Sequence, residues 1–449
     1  MTRATIAGGT LATVLVLLAV AAGYRAINKD AHPTVATSPA TPASTTPATA
    51  LTYQGFLYGR IITVDGATHE GRLRFGGDEE AFWGDSFNGA KHENPWLAQL
   101  PPEGLPKERR PIEIFGIKIA DRESELDLRR LFMARFGEVA RLEAHGRKVR
   151  VTLKSGTVCD LDRFEASDFD DGVRVWDGRR GIIDLDSLRI RSIDFLPTRS
   201  LGAAPSRLHG TVRTRQGDFT GFVAWDREES VGTDELDGRT AEGELSPRFD
   251  TIRSIERRSR DNLVTLLDGR EIVFFDDGEV GHGNRGINVD DQRYGRVLIS
   301  WDSFERVDFS PGGSGPAYGD FPPGLPLTGS VTTRDGRRLA GRLVYDLDES
   351  ETTETLDAPS RGVNYTVPFG LIASITPPGG NERSAQLARV TLHDGEVLQL
   401  ERTGDLGERN VGMLIFVDGR ERPEYVPWTD VEQVDLDRPS AMYPPSGHR

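Results

Sequence analysis

The stretch LHGTVRTRQGDFTGFVAWDREE, Leu208 to Glu229, decides the fold, because the chain contains it three times. It returns as LTGSVTTRDGRRLAGRLVYDLDE from Leu327 to Glu349. A worn copy, LYGRIITVDGATHEGRLRFGGDEE, runs from Leu57 to Glu80. In each copy two runs flank a turn that contains glycine: Asp65-Gly66, Gln216-Gly217 and Asp335-Gly336. Asp-Gly supplies the positive φ that a tight hairpin requires. The runs nearly alternate between apolar and polar residues, which suits a sheet with one wet face. Gly71, Gly221 and Gly341 fall inside the second run, where glycine marks a bulge, a bend or close backbone approach.

A second unit follows each hairpin unit. It opens on Val151-Thr-Leu-Lys-Ser-Gly156, Val264-Thr-Leu-Leu-Asp-Gly269 and Val390-Thr-Leu-His-Asp-Gly395. It closes on Leu185-Asp186-Ser187, Trp301-Asp302-Ser303 and Trp428-Thr429-Asp430, each followed by a final strand. The copies lie roughly 120 residues apart, which is domain length rather than solenoid length. The expected architecture is all-β: three tandem repeats, each a pair of small barrel or curled-sheet units. The repeats occupy residues 51–197, with an insertion at 90–131, then 206–310 and 325–437. In the insertion, Asp121 to Phe136 has one helical face. The repeat pattern makes the part after Phe132 a strand and leaves a short helix open before it. The stretches 196–207 and 311–326 read as linkers, and 438–449 as a disordered tail.

The turn, Gly341, Asp346, the Leu356-Asp357 strand end and the strand through Ile372-Ala-Ser-Ile375 resemble the small five-stranded SH3-like and Sm-like barrels. The full repeat also resembles uncharacterised exported bacterial proteins with the same strand pattern, and that likeness implies no activity. Sm-like proteins take RNA through an asparagine after the acidic residue and a later basic motif. Here Asp226 precedes Arg227-Glu228-Glu229 and Asp346 precedes Leu347-Asp348-Glu349, so the resemblance implies the fold and not RNA binding.

The 449 residues carry a formal charge of −15, which disfavours nucleic acid and anionic lipid except at a local basic patch. Hydrophobic content of 37% with 50 glycines and 26 prolines fits turn-rich β modules better than one large α/β enzyme. Cys159 is the single cysteine, so neither an intramolecular disulfide nor a cysteine zinc cluster is available. Ala4 to Tyr24 is an uncharged apolar run, and Ala19-Val20-Ala21 is a plausible cleavage site. Residues 1–24 are therefore either a cleaved signal peptide or a retained membrane anchor, with the anchor preferred. Residues 25–50, rich in Pro, Ala and Thr, read as a disordered spacer. The expected location is exported and periplasmic or otherwise extracytoplasmic, with an N-terminal tether to the inner membrane.

The candidate binding surface comprises Trp225, Asp226 and Glu229, their counterparts Tyr345, Asp346 and Glu349, and the recurring Trp301 and Trp428. An exposed aromatic beside a carboxylate makes a sugar or peptide platform. The alternative reading, favoured on the residues, is an aromatic that caps each core with the carboxylate at its rim. The acidic clusters Asp78-Glu79-Glu80, 226–229 and 346–351 read as solvated loops rather than cation sites. Asp168, Asp170, Asp171 and Asp276-Asp277 suggest metal loops faintly, but are not kept between copies. The scattered histidines, His209, His282 and His393 among them, form no metal spacing. No catalytic, metal or cofactor residues are assigned. The expected role is a noncatalytic binding or structural module of the bacterial envelope, with an envelope protein or glycan as partner. The alternative is a carbohydrate-active or metal-dependent hydrolase that uses carboxylates gathered from loops.

Overall fold

Each opening hairpin turns on a buried threonine. Thr63, Thr214 and Thr333 donate their hydroxyls across the turn to the carbonyls of Ala67, Gly217 and Arg337, at 3.1, 3.0 and 3.1 Å. The strands so joined are Tyr58–Thr63 with Thr68–Phe75, His209–Thr214 with Gly217–Ala224, and Thr328–Thr333 with Arg338–Val344. These positions come from a computed structural model. It describes residues 53–440 apart from 77–78, 101–106, 115–116, 126–129, 202–204, 314 and 379–386, with backbone alone for 107–114 and 117–125. The expected leader and spacer lie outside the described residues, as do Asp78 and most of the tail. No helix among the described residues is long and apolar enough to cross a membrane.

All three repeats follow one plan. After the opening hairpin comes a second hairpin: Ser86–Ala90 with Leu131–Arg135, Gly238–Thr240 with Gly243–Leu245, and Thr355–Ser360 with Val363–Pro368. A three-stranded meander follows, beginning at Val139, Ile252 and Ile372. A third hairpin begins at Val173, Ile287 and Met413. The closing strands are Ile190–Phe195, Phe304–Phe309 and Val431–Leu436. In every repeat the ladder runs third hairpin, opening hairpin, closing strand, meander. The closing strand lies between the opening hairpin and the meander, so the two units of a repeat share one eight-stranded ladder. Of the forms open from sequence, this is the curled-sheet one. The helix left open before Phe132 is instead strand, at Ile117–Glu125 and Leu131–Arg135.

Among the described residues no helical layer covers these sheets, so each buries its inner face against itself. A row of four apolar residues crosses opening strand, closing strand and meander in each copy. The rows are Ile61, Ile193, Leu142, Val151; Val212, Val307, Ile255, Val264; and Val331, Val434, Ile375, Val390. All twelve are inaccessible to solvent. In a flat ladder the opening hairpin's second strand and the meander's first strand would stand about 14 Å apart. Yet Phe75, at the end of the one, meets Phe136, in the turn leading into the other, with ring centroids 4.8 Å apart. Two devices bend the sheet. Bulges recur at equivalent places, at Thr63, Thr214 and Thr333 against the closing strand and at Val139, Ile252 and Ile372 in the meander. Glycines also face each other across the opening hairpin: Gly59 and Gly71, Gly210 and Gly221, Gly329 and Gly341.

The repeats are not beads on a string. The second hairpin of repeat 3 extends repeat 2's sheet to ten strands, with Tyr365 opposite Val297. The stretch between repeats 2 and 3 crosses repeat 1, where Phe321 joins the core and the Tyr318 hydroxyl donates to the Val139 carbonyl at 2.9 Å. Repeat 1 meets repeat 2 through Arg296, which bonds Asp290 at 3.1 Å and Asp85 at 3.3 Å. Repeat 1 holds repeat 3 through Lys91, which pairs with Asp348 and lies 3.6 Å from Glu354. Asn94 and Arg130 add bonds to the Leu347 and Asp346 carbonyls, at 2.9 and 2.8 Å.

Candidate functional site

The expected site residues gather where each opening hairpin ends. Trp225 and Glu229 exchange backbone hydrogen bonds of 2.8 and 3.0 Å, and Tyr345 with Glu349 does the same. Phe75 and Glu79 form the third copy, at 2.8 and 3.2 Å. The intervening residues take left-handed backbone, with φ of 49° and 68° at Asp226 and Arg227, 49° and 54° at Asp346 and Leu347, and 57° at Gly76. Aspartate is among the few residues other than glycine that visit that region readily.

The tight turn places each aromatic in the core, and this corrects the reading of an exposed platform. Trp225 is 0% exposed, Tyr345 1%, Trp301 5% and Trp428 8%. Trp225 lies 5.4 Å from Phe304 and 6.0 Å from Trp301, while Tyr345 lies 5.1 Å from Phe369 and 5.4 Å from Trp428. Two of their polar atoms are used inside, while Trp301 Nε1 is buried without a hydrogen-bond partner. Trp225 Nε1 donates to the Glu279 carbonyl at 3.0 Å, and the Tyr345 hydroxyl to the Asp405 carbonyl at 2.9 Å. An aromatic with both its ring covered and its polar tip satisfied has nothing left to offer a sugar. Phe75 holds the same place, four residues beyond the strand glycine in all three copies. Distance from the glycine reveals it, while the aromatic–acid pattern hides it.

The carboxylates act as braces. Asp226 accepts from the Arg285 backbone N–H and from its guanidinium at 3.0 Å. Asp346 accepts from the Val411 N–H at 2.6 Å and from Arg130 at 3.0 Å. Glu279, Asp405 and Asp168 each accept a backbone N–H from the second hairpin, those of Asp237, Asp357 and Asn88, at 3.0, 2.6 and 3.0 Å. Asp168 thus braces its loop against the second hairpin. No group of three or more acidic, histidine or cysteine side chains among the described residues is placed to hold a metal ion. Cys159 is half-buried, and burial pushes its thiol up to about 11.

Glu229 and Glu349 each leave one carboxylate oxygen buried without a hydrogen-bond partner. Burial, then the nearby Glu279, pushes Glu229 up to about 8. Burial pushes Glu279 to about 7, against the bond from Asp237. Burial, then Asp348 and Asp405, raises Glu349 well above the usual range. An acid raised on folding contributes most below its unfolded pKa, near 4.3, and that contribution fades as pH climbs through its folded value. Glu229→Gln is therefore expected to match the parent protein at pH 4 and to exceed it increasingly up to pH 9, by a few degrees in Tm. Thermal melts across that range check this; an offset that does not vary with pH would show that Glu229 titrates normally.

A cleft of about 880 Å³ lies on repeat 2, between the ends of the opening strand, the meander strand and the closing strand. Arg213, Arg215, Arg257, Arg258 and Arg306 line it, against Glu256, Asp276, Asp302 and Glu305. Arg306 is fixed by Asp308 and Glu256, both at 2.7 Å, and Arg257 donates to the Trp301 carbonyl at 2.6 Å. Arg215 and Arg258 reach carboxylates only at 3.7 Å, which leaves their planar donor forks open to a better acceptor. His282 Nδ1 lies 2.7 Å from Asp276 at the margin. Repeat 1 has Ile62, Ala144, His145 and Ser192 at the places of Arg213, Arg257, Arg258 and Arg306, and repeat 3 has Thr332, Pro377, Pro378 and Gln433. Arg334 keeps the place of Arg215 in repeat 3, but among the described residues the full set of arginines belongs to repeat 2. Its signal in the sequence is local: VRTR at 212–215 and ERRSR at 256–260 are basic runs in an acidic chain. Compared with protein-family models, curated proteins and solved structures, the chain finds no match.

Proposed function

We propose that this chain is a noncatalytic binding protein of the bacterial envelope, held outside the cytoplasm by its N-terminal apolar run, and that the arginine cleft of repeat 2 takes an acidic partner. The carrying observation is the gathering of five guanidiniums in one open cleft on a chain of net charge −15. Guanidinium forks match carboxylate and phosphate groups bidentately. An acidic envelope glycan or protein segment supplies such groups along an extended chain. The exported location is supported by Ala4–Tyr24 and the spacer that follows.

A hydrolase reading draws on Glu229 and Glu279, two interacting carboxylates raised to about 8 and about 7. Against it, Glu279 is bound to the Asp237 N–H and the free Glu229 oxygen is buried, so neither faces the cleft's arginines.

The test uses the full chain on beads carrying polygalacturonate or polyglutamate at low salt. Retention that salt abolishes, and that Arg213→Glu/Arg258→Glu reduces at least about tenfold, is the expected result. Both arginines are surface groups, so the variant should keep its stability to within about 0.5 kcal/mol. Equal retention of variant and parent would remove the cleft from the proposal.

A further inference from the structure

The outer strand of the third hairpin ends the eight-stranded ladder of every repeat, and the three edges are treated differently. In repeat 2 the strand is Gly295–Ile299, and the Val363–Pro368 strand of repeat 3 covers it. In repeat 3 it is the short Glu424–Val426, with Pro423 before it and Pro427 after it. Prolines guard an open edge because they lack the N–H that an added strand needs. In repeat 1 it is Gly181–Leu185, which has neither a cover nor a proline. Its outer side pairs with no described strand. Ile182 is 63% exposed there, and the exposed Asp184 is already paired with Arg174 at 2.7 Å.

The copies also fix which backbone groups face outward. In repeat 2 the Ser300 N–H donates to the Gly362 carbonyl of repeat 3 at 3.0 Å. Asp186 holds the place of Ser300, because Leu185 pairs with Val173 as Ile299 pairs with Ile287. Outward groups alternate along a strand, so Ile182 and Asp184 present theirs to the open side. We propose that Gly181–Leu185 is a two-fold contact between copies of this chain, each adding its edge antiparallel to the other. Full overlap of the two strands centres the axis on Ile183. Ile182 of each copy then meets Asp184 of the other as a doubly hydrogen-bonded pair. The exposed Arg180 of each copy likewise meets the exposed Asp186 of the other, and this charge complementarity selects the occupant. The second hairpin of repeat 2, supplied by another copy, fits less well. In the register that repeat 3 uses on repeat 2, with Leu298 opposite Asn364, its Glu244 would lie against Asp184.

The experiment puts Ile183→Cys, with Cys159→Ser, into the full chain in detergent. Positions 183 of the two copies face each other as a non-hydrogen-bonded pair, the close kind that a disulfide spans. Mild oxidation should link two copies through this cysteine and not through Val64→Cys, an exposed control at a hairpin turn. Arg180→Asp and Asp186→Arg should each lower the linked fraction at least about tenfold, since each sets like charges across the axis twice. A mixture of the two variants restores both opposite-charge pairs and should link again. Sedimentation of the same charge variants without the new cysteine reads the association independently: dimer for the parent and the mixture, monomer for each variant alone. Absence of linkage and of a sedimenting dimer in the parent would overturn the contact. So would linkage that Val64→Cys matches, or that survives in either charge variant alone.

Discussion

Gly221→Ala is expected to leave almost no folded protein, with a loss of more than about 4 kcal/mol. Gly221 faces Gly210 across the opening hairpin of repeat 2. A methyl there would press into the carbonyl of Asp290 on the neighbouring strand, well inside van der Waals contact, and backbone in mid-ladder cannot retreat. Gly71 and Gly341 meet the Trp176 and Phe416 carbonyls in the same way, so Gly341→Ala should behave alike. Gly178→Ala is the control, since nothing lies within 4 Å of its added carbon. Denaturant unfolding of the three variants reads the difference. A Gly221→Ala protein as stable as the control would show that the sheet does not bend there.

The second large effect belongs to Lys91→Met. Burial works against the Lys91 ammonium, but Asp348 and Glu354 outweigh it and hold it charged. Without the ammonium, a buried Asp348 faces Glu354 with only the weaker pull of Arg130 to offset it, and removing one partner of a buried pair costs about 3–5 kcal/mol. The loss should deepen with pH, because an unpaired Asp348 keeps its proton at low pH and must shed it at high pH. Lys91→Met/Asp348→Asn should recover most of the stability by removing the stranded charge. A single variant within about 1 kcal/mol of the parent would mean that the clasp between repeats 1 and 3 is solvated.

The hairpins were legible because their signals are local. Asp65-Gly66 and Asp335-Gly336 fix turns, and the glycine four residues before each strand-end aromatic fixes bends. The order of strands within a ladder was not legible. Val307 belongs beside Val212, nearly a hundred residues away, and no short-range pattern says which partner wins. Tyr318 and Phe321 sit among glycines and prolines without periodicity, so the stretch reads as a linker although Phe321 is core. The site suffered in the same way. Trp225 and Tyr345 recur in the sequence beside an acid, but whether such an aromatic caps the core or faces solvent is a tertiary property. The turn that buries them depends on Asp226 and Asp346 accepting bonds from a loop some sixty residues further on. The arginine cleft is assembled from three separated segments, so the basic runs at 212–215 and 256–260 do not by themselves say that they meet.

The hairpin that repeat 3 lends to repeat 2 has a consequence for how such a chain can evolve. A solenoid gains or loses copies freely, since each copy meets only its neighbours. Here a shortened descendant without repeat 3 would bare the strand Gly295–Ile299 along its full length, an open template for aggregation. A fourth copy would find repeat 1's clasp already closed on Asp348. Loss of a copy is therefore costlier here than in a solenoid, and change falls most easily on the loops.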